Sequence, residues 1–146
     1  MISVLVVDDH VYLRRAIRYL LEPTPDIKVV STAESGVEAI AKARQFRPDV
    51  VIMDISRSFM ESLEVTRQIL SDLPQTHVLM LSSFDDQRYI KSALDVGATG
   101  YLVKDAIGSE LLEAIRSLYS GRPYFCSQIV HMVGSYIKVD SESWAQ

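Results

Sequence analysis

The sequence predicts an α/β fold in which one parallel sheet is wound with helices on both faces. Three observations carry that prediction. Short unbroken apolar runs, such as Val50-Val51-Ile52-Met53, are what strands buried on both faces look like. Stretches with helical spacing separate these runs. Proline and glycine punctuate the joints between them.

Ile2–Val7 is the first predicted strand and ends in Asp8-Asp9-His10. Leu13, Ala16, Ile17 and Leu20 then follow helical spacing, with Arg14, Arg15 and Arg18 off that face, until Pro23 and Pro25 end the helix. Ile27–Val30 is a short second strand. Val37, Ile40 and Ala41 mark a second helix that closes before Pro48. Val50–Asp54 is the third strand, and Leu63, Thr66 and Leu70 mark a third helix broken at Pro74. His77–Leu81 is the fourth strand, followed by Ser82-Ser83; Ile90, Ala93, Leu94 and Gly97 share one face of a fourth helix. Gly97 and Gly100 bracket the turn into the fifth strand, Tyr101–Val103, and Lys104 follows at once. Ile107, Leu111, Ala114, Ile115 and Leu118 form a fifth amphipathic helix, stopped by Gly121-Arg122-Pro123.

Five strands alternating with five helices predict (βα)5, a flavodoxin-like doubly wound parallel sheet with strand order 2-1-3-4-5. Residues 1–121 form the predicted domain, and 122–146 a C-terminal helical extension or linker. Within the extension, Ile129, Val133, Tyr136 and Ile137 again have helical spacing over Gln128–Val139. That segment is expected to pack on the domain, mediate self-association or lead into a further domain. Ser141–Gln146 reads as a frayed tail.

The bulk numbers exclude several classes. With 146 residues, 48% hydrophobic and 23% charged, the chain has the make-up of one soluble globular domain. A net charge of −4 gives no electrostatic reason to bind nucleic acid. Cys126 is the only cysteine, so no intramolecular disulfide forms, in keeping with a reducing cytoplasm. The N-terminal apolar run lacks a basic flank and stops at Asp8, which argues against a signal peptide. No apolar stretch approaches the roughly 18 residues of a membrane span.

In open α/β sheets, ligands sit at the carboxyl ends of the strands. With strands 1 and 3 as neighbours, Asp8, Asp9 and Asp54 converge at that rim. Carboxylates so close repel one another unless a cation joins them. Hard oxygen ligands around an open site suit Mg²⁺, which completes its shell with water and phosphate oxygens. Asp54 is then the candidate nucleophile for a phosphoryl group, Lys104 a point charge for it and Ser82 a hydroxyl donor. Each residue also has a plain structural role available. Asp8-Asp9 suits a helix N-cap, Lys104 a solvated loop and Ser82 a turn; His10 is expected to be exposed rather than a ligand.

Val4-Leu5-Val6-Val7-Asp8-Asp9-His10, Val50-Val51-Ile52-Met53-Asp54, Val78-Leu79-Met80-Leu81-Ser82 and Gly97-Ala98-Thr99-Gly100-Tyr101-Leu102-Val103-Lys104-Asp105 together resemble the bacterial response-regulator receiver domain. Asp-Asp-His and Tyr-Leu-Val-Lys-Asp resemble its NarL/LuxR-type members. The resemblance implies Asp54 as phosphoacceptor from a sensor histidine kinase. It also implies Asp8, Asp9 and the backbone carbonyl of Ser56 as metal ligands, Ser82 and Lys104 as phosphoryl contacts, and Tyr101 as a rotameric switch. A cytoplasmic location and a homodimer on activation follow from it too. DNA would be bound only through a C-terminal helix-turn-helix domain, which these 146 residues do not include.

One stretch departs from that pattern. Arg57-Ser58-Phe59-Met60-Glu61-Ser62 stands where such receivers carry Met-Pro-Gly-x-Asp-Gly. Ser58 and Glu61 match a capping box, so either the third helix starts early or the loop is mobile, with Phe59 then expected to be exposed. The departure keeps a second function open, that of a phosphorylation-independent interaction module. A small metal-dependent phosphohydrolase is a third, though no added general acid is apparent.

Overall fold

The apolar runs form the strands that their patterning predicts, and the computed structural model describes residues 1–55, 58–83 and 87–133. Strands β1 (Ile2–Val7), β2 (Ile27–Ala33), β3 (Val50–Asp54), β4 (His77–Ser82), β5 (Gly100–Val103) and β6 (Tyr124–Phe125) make one sheet in the order β2-β1-β3-β4-β5-β6. Every neighbouring pair is parallel. Helices α1 (Val11–Leu21), α2 (Gly36–Phe46), α3 (Phe59–Asp72), α4 (Gln87–Asp95), α5 (Ile107–Tyr119) and α6 (Val130–Val133) complete the described chain, with a 3₁₀ turn at Lys104–Ala106. The predicted order of the first five strands is correct; the sixth strand is an addition that sequence patterning did not reveal.

The central strands are buried on both faces, as their runs require: Val4, Leu5, Val6, Val50, Val51, Ile52, Val78, Leu79, Met80 and Leu81 are all fully buried. Register then fixes what meets at the rim. Val7 pairs with Met53, which sets Asp8 level with Asp54. Ser82 pairs with Val103, so Lys104 lies one step beyond.

Three expectations need correction. β2 runs past Val30 to Ala33 because the pairing with β1 shifts between Val4 and Leu5: Val4 pairs with Val29 but Leu5 with Ser31. Val30 is the extra residue of that bulge, which carries a polar stretch into the sheet. On α2 the buried residues are Ala39 and Ala43, whereas Val37 is 83% exposed and Ala41 also faces solvent. On α1, Ile17 and Leu21 are buried and Ala16 is exposed.

Helices α4 and α5 stop in the same way. Gly97 (φ 105°) donates to Leu94 O while Ala98 donates to Ala93 O; Gly121 (φ 88°) donates to Leu118 O while Arg122 donates to Ser117 O. Both are left-handed glycine caps that satisfy the last carbonyls of the helix. After the second cap the chain turns back into the sheet as β6. Cys126, Ile129 and Val133 are then completely buried, so the segment packs on the domain as part of its core. Tyr136 and Ile137 lie outside the described residues.

Gly100 sits where β5 crosses closest to its neighbours. A Cβ there would lie 2.6 Å from Leu79 Cδ1 and 3.0 Å from Leu118 Cδ1, and both leucines are fully buried. We expect Gly100→Ala to destabilise the fold by roughly 1–3 kcal/mol. A urea titration should show a lower midpoint at unchanged slope; an unmoved midpoint would mean the two leucines repack freely.

Candidate functional site

Asp8 leaves β1 with its backbone still tied to the sheet, its N–H donating to Ala33 O at 2.9 Å. Asp54 ends β3. Both acids line a cleft of about 280 Å³ at the carboxyl ends of the strands, together with Asp9, Glu34, Ser58 and Glu61. The strand-end position predicted for the three aspartates is thus where the structure puts them.

Lys104 reaches into this rim from the far side of the sheet. Its Nζ lies 2.9 Å from Asp54 Oδ1, and the Asp54 side chain is only 3% exposed. At such burial an ion pair is far less screened than a surface pair. Ser82, at the end of β4 between β3 and β5, is completely buried, as is Tyr101 in β5 at 1% exposure.

Asp8 is the strained member. It is 3% exposed, and its Oδ1 accepts the His10 backbone N–H at 2.8 Å. Its Oδ2 is buried and finds no hydrogen-bond donor among the described residues. Burial, first, pushes the Asp8 carboxyl up to about 6; the neighbouring Asp54 carboxylate adds to the rise, against the His10 N–H and Lys104. A buried carboxylate oxygen without a donor favours a proton or a cation. The donors around it are oxygens, which suits a hard divalent ion.

His10 behaves as expected. Its side chain is 61% exposed and its Nδ1 lies 3.9 Å from Asp9 Oδ1. Asp8, Asp9 and His10 can each bring one potential ligand atom within 4.8 Å of the others, but the ring faces solvent. The predicted ligand carbonyl of Ser56 lies outside the described residues, as does Arg57.

Helix α3 does begin early. Ser58 is its N-cap, with the side chain accepting from Glu61 N at 3.3 Å. Ser62, where such receivers carry glycine, is buried; its hydroxyl donates to Ser58 O at 2.9 Å, with Asp54 O at 3.3 Å. Phe59 is not exposed as expected. It is half-buried and meets Tyr89 of α4 edge to face, with ring centroids 4.4 Å apart. Met60, one residue on, is the exposed one at 73%.

Sequence reading missed Arg14. Its guanidinium donates to Asp8 O at 2.6 Å and to Glu34 Oε1 at 2.9 Å, tying the end of β1 to the end of β2. Its place off the apolar face of α1 was the only visible signal. Glu34 and Ser35 were missed as well, although β2 borders β1 and its end reaches the same rim.

Asp8 supplies a pH test. The folded chain binds its proton more tightly (about 6) than an ordinary carboxyl does (3.8), so between those values the folded chain holds more protons. Its contribution to stability is therefore lost as pH rises through that window. With a chelator present, stability should fall by on the order of 1–3 kcal/mol from this group. Asp8→Asn, which keeps the acceptor for His10 N–H, should flatten that part of the pH–stability curve. A curve identical to wild type would show that Asp8 ionises without penalty.

Comparison with known proteins agrees with this geometry. Residues 4–116 match the family model described as the response regulator receiver domain. The chain is 38% identical over 141 residues to the response regulator protein VraR of Staphylococcus aureus, covering 97% of this chain and 68% of VraR. Among solved structures, a LuxR-family two-component response regulator from Aurantimonas sp. SI85-9A1 superposes with a TM-score of 0.85 at 28% identity, covering 92% of this chain and 96% of that one. The signal receiver domain of the putative response regulator NarL from Mycobacterium tuberculosis gives 0.77 at 30% identity, covering 83% and 98%. With an aspartate cluster and a lysine at the strand ends of a five-fold βα sheet, and with these relatives, the chain belongs to the response regulator receiver domain family, as a receiver of NarL/LuxR type.

Proposed function

We propose that this receiver takes a phosphoryl group from a sensor histidine kinase onto Asp54 and passes the change to an output that controls transcription. The observation that carries this is the ion pair of buried Asp54 with Lys104, 2.9 Å apart, beside an Asp8 oxygen that finds no donor among the described residues. A carboxylate oxygen of Asp54 forms the new P–O bond as the P–N bond to the kinase histidine breaks, and the electron pair of that bond stays on the imidazole. Lys104 would follow the negative charge onto the bound phosphoryl group.

Asp8, Asp9 and Asp54 would hold Mg²⁺, with the Ser56 backbone carbonyl as a further ligand. When bound, the ion neutralises charge on the transferring phosphoryl group and relieves repulsion among the acids. Ser82 would donate its hydroxyl to the phosphoryl oxygens. Tyr101 would act as the switch; its ring is already buried here, so switching requires an outward alternative that unphosphorylated chains populate. The chemistry is that of a signalling acceptor, with no turnover of a free substrate.

Residues 1–121 are then the receiver, and 122–146 its C-terminal extension, whose described part packs into the domain's core. We place the protein in the cytoplasm, as a homodimer when activated, reaching DNA only through a C-terminal domain outside these residues. Among the described residues no helix is long and apolar enough to cross a membrane. A phosphorylation-independent interaction module is the second reading. The early start of α3 and the Phe59–Tyr89 contact favour it, since both set the start of α3 beside Asp54 apart from the family pattern.

Incubation with Mg²⁺ and acetyl phosphate should add one phosphoryl mass to the intact protein, base-labile and lost in Asp54→Ala. A label that persists in Asp54→Ala refutes the assignment. No label, with partner binding equal in wild type and Asp54→Ala, selects the second reading.

A further inference from the structure

The segment after α5 is held by the same strand that carries Tyr101. β6 pairs with β5 in register Gly100–Tyr124 and Tyr101–Phe125. Tyr124 N–H donates to Thr99 O at 3.0 Å, and Cys126 N–H donates to the carbonyl of Tyr101 itself at 3.1 Å. Beyond Cys126 the chain turns, with Ile129 N–H and Val130 N–H both donating to Cys126 O at 3.0 Å, and enters α6, which packs against α4.

One side chain gathers this segment. Glu110, in the first turn of α5, accepts the Tyr124 phenol at 2.7 Å and Ser127 N–H at 3.1 Å on Oε1, and the Ser127 hydroxyl at 3.1 Å on Oε2. Glu113, one turn on, lies 3.4 Å from the same phenol. Three donors converging on one half-buried carboxylate hold it below the usual carboxylate range, the Tyr124 phenol contributing most. β6 is only two residues long, so its own ladder is weak, and Glu110 supplies hydrogen bonds to a charged acceptor at both of its ends.

We propose that Glu110 is a latch that fixes the exit segment Tyr124–Val133 to β5 and α5, so that a rearrangement around Tyr101 and α4 is passed directly to the chain that follows. The coupling to Tyr101 rests on the receiver reading above; the latch itself does not. Tyr101 and α4 are the parts that reading expects to move. The exit segment is bonded to the first through Cys126 and packed on the second through α6.

Hydrogen–deuterium exchange on the full chain tests both halves, with beryllofluoride as the probe of Asp54. Without the probe, Glu110→Ala should speed exchange of the amides of 124–133 about tenfold or more while β1 and β3 stay protected. Tyr124→Phe, which removes one of the three donors, should fall between that variant and wild type. Exchange at 124–133 within about twofold of wild type, or a rise shared by β1 and β3, overturns the latch. With the probe, wild-type exchange at 124–133 should change, and Glu110→Ala should lose that change while still taking up beryllofluoride by ¹⁹F NMR. A wild-type chain that takes up the probe without any response at 124–133 overturns the coupling. A wild-type chain that takes up none overturns the receiver chemistry and the coupling with it, and the probe-free arm still decides the latch.

Discussion

Repulsion among acids at one sheet edge is the constraint to which much of the structure responds. Asp8 and Asp54 are brought side by side by strand register, with almost no water to screen them. Lys104 meets Asp54 from the end of β5, the His10 N–H meets one oxygen of Asp8, and Arg14 holds the Asp8 backbone carbonyl. The second oxygen of Asp8 has no donor among the described residues. That imbalance raises the free energy of the ionised site when nothing is bound, and it gives a bound cation or an incoming phosphoryl charge something to relieve.

How much of this could be read in advance follows from where each signal lives. β1 and β3 were legible because their apolar runs are unbroken and end in acids. Lys104 was legible because glycines on either side of the turn mark where β5 must start. The α2 face was not. Its packing is carried by Ala39 and Ala43, whose small side chains give little hydrophobic signal, because α2 lies close on α3: a Cβ on Gly36 would come 2.6 Å from Val65 Cγ2. β6 was not legible either, since Tyr124-Phe125 gains its strand character from the open edge of β5 rather than from any pattern of its own. Arg14 holds Asp8 through a backbone carbonyl, an acceptor that every residue possesses and that composition cannot flag.

The stretch after Asp54 shows a local rule overriding a family habit. Without proline and glycine to shape a turn, Ser58 caps α3 directly and the helix starts within five residues of the acid. Ser62 then takes a buried place close to the Asp54 carbonyl, and Phe59 is drawn from solvent to the edge of Tyr89. On this side of the site, α3, which starts beside Asp54, is in direct contact with α4.

The two borders of the sheet have a consequence of their own. β6 is too short to template another strand, and β2 is kinked by its bulge and carries solvent-facing Lys28. Such features deter pairing between sheets of different molecules. Among the described residues, the faces open to another molecule are accordingly those of helices, where side chains rather than main-chain ladders would select a partner.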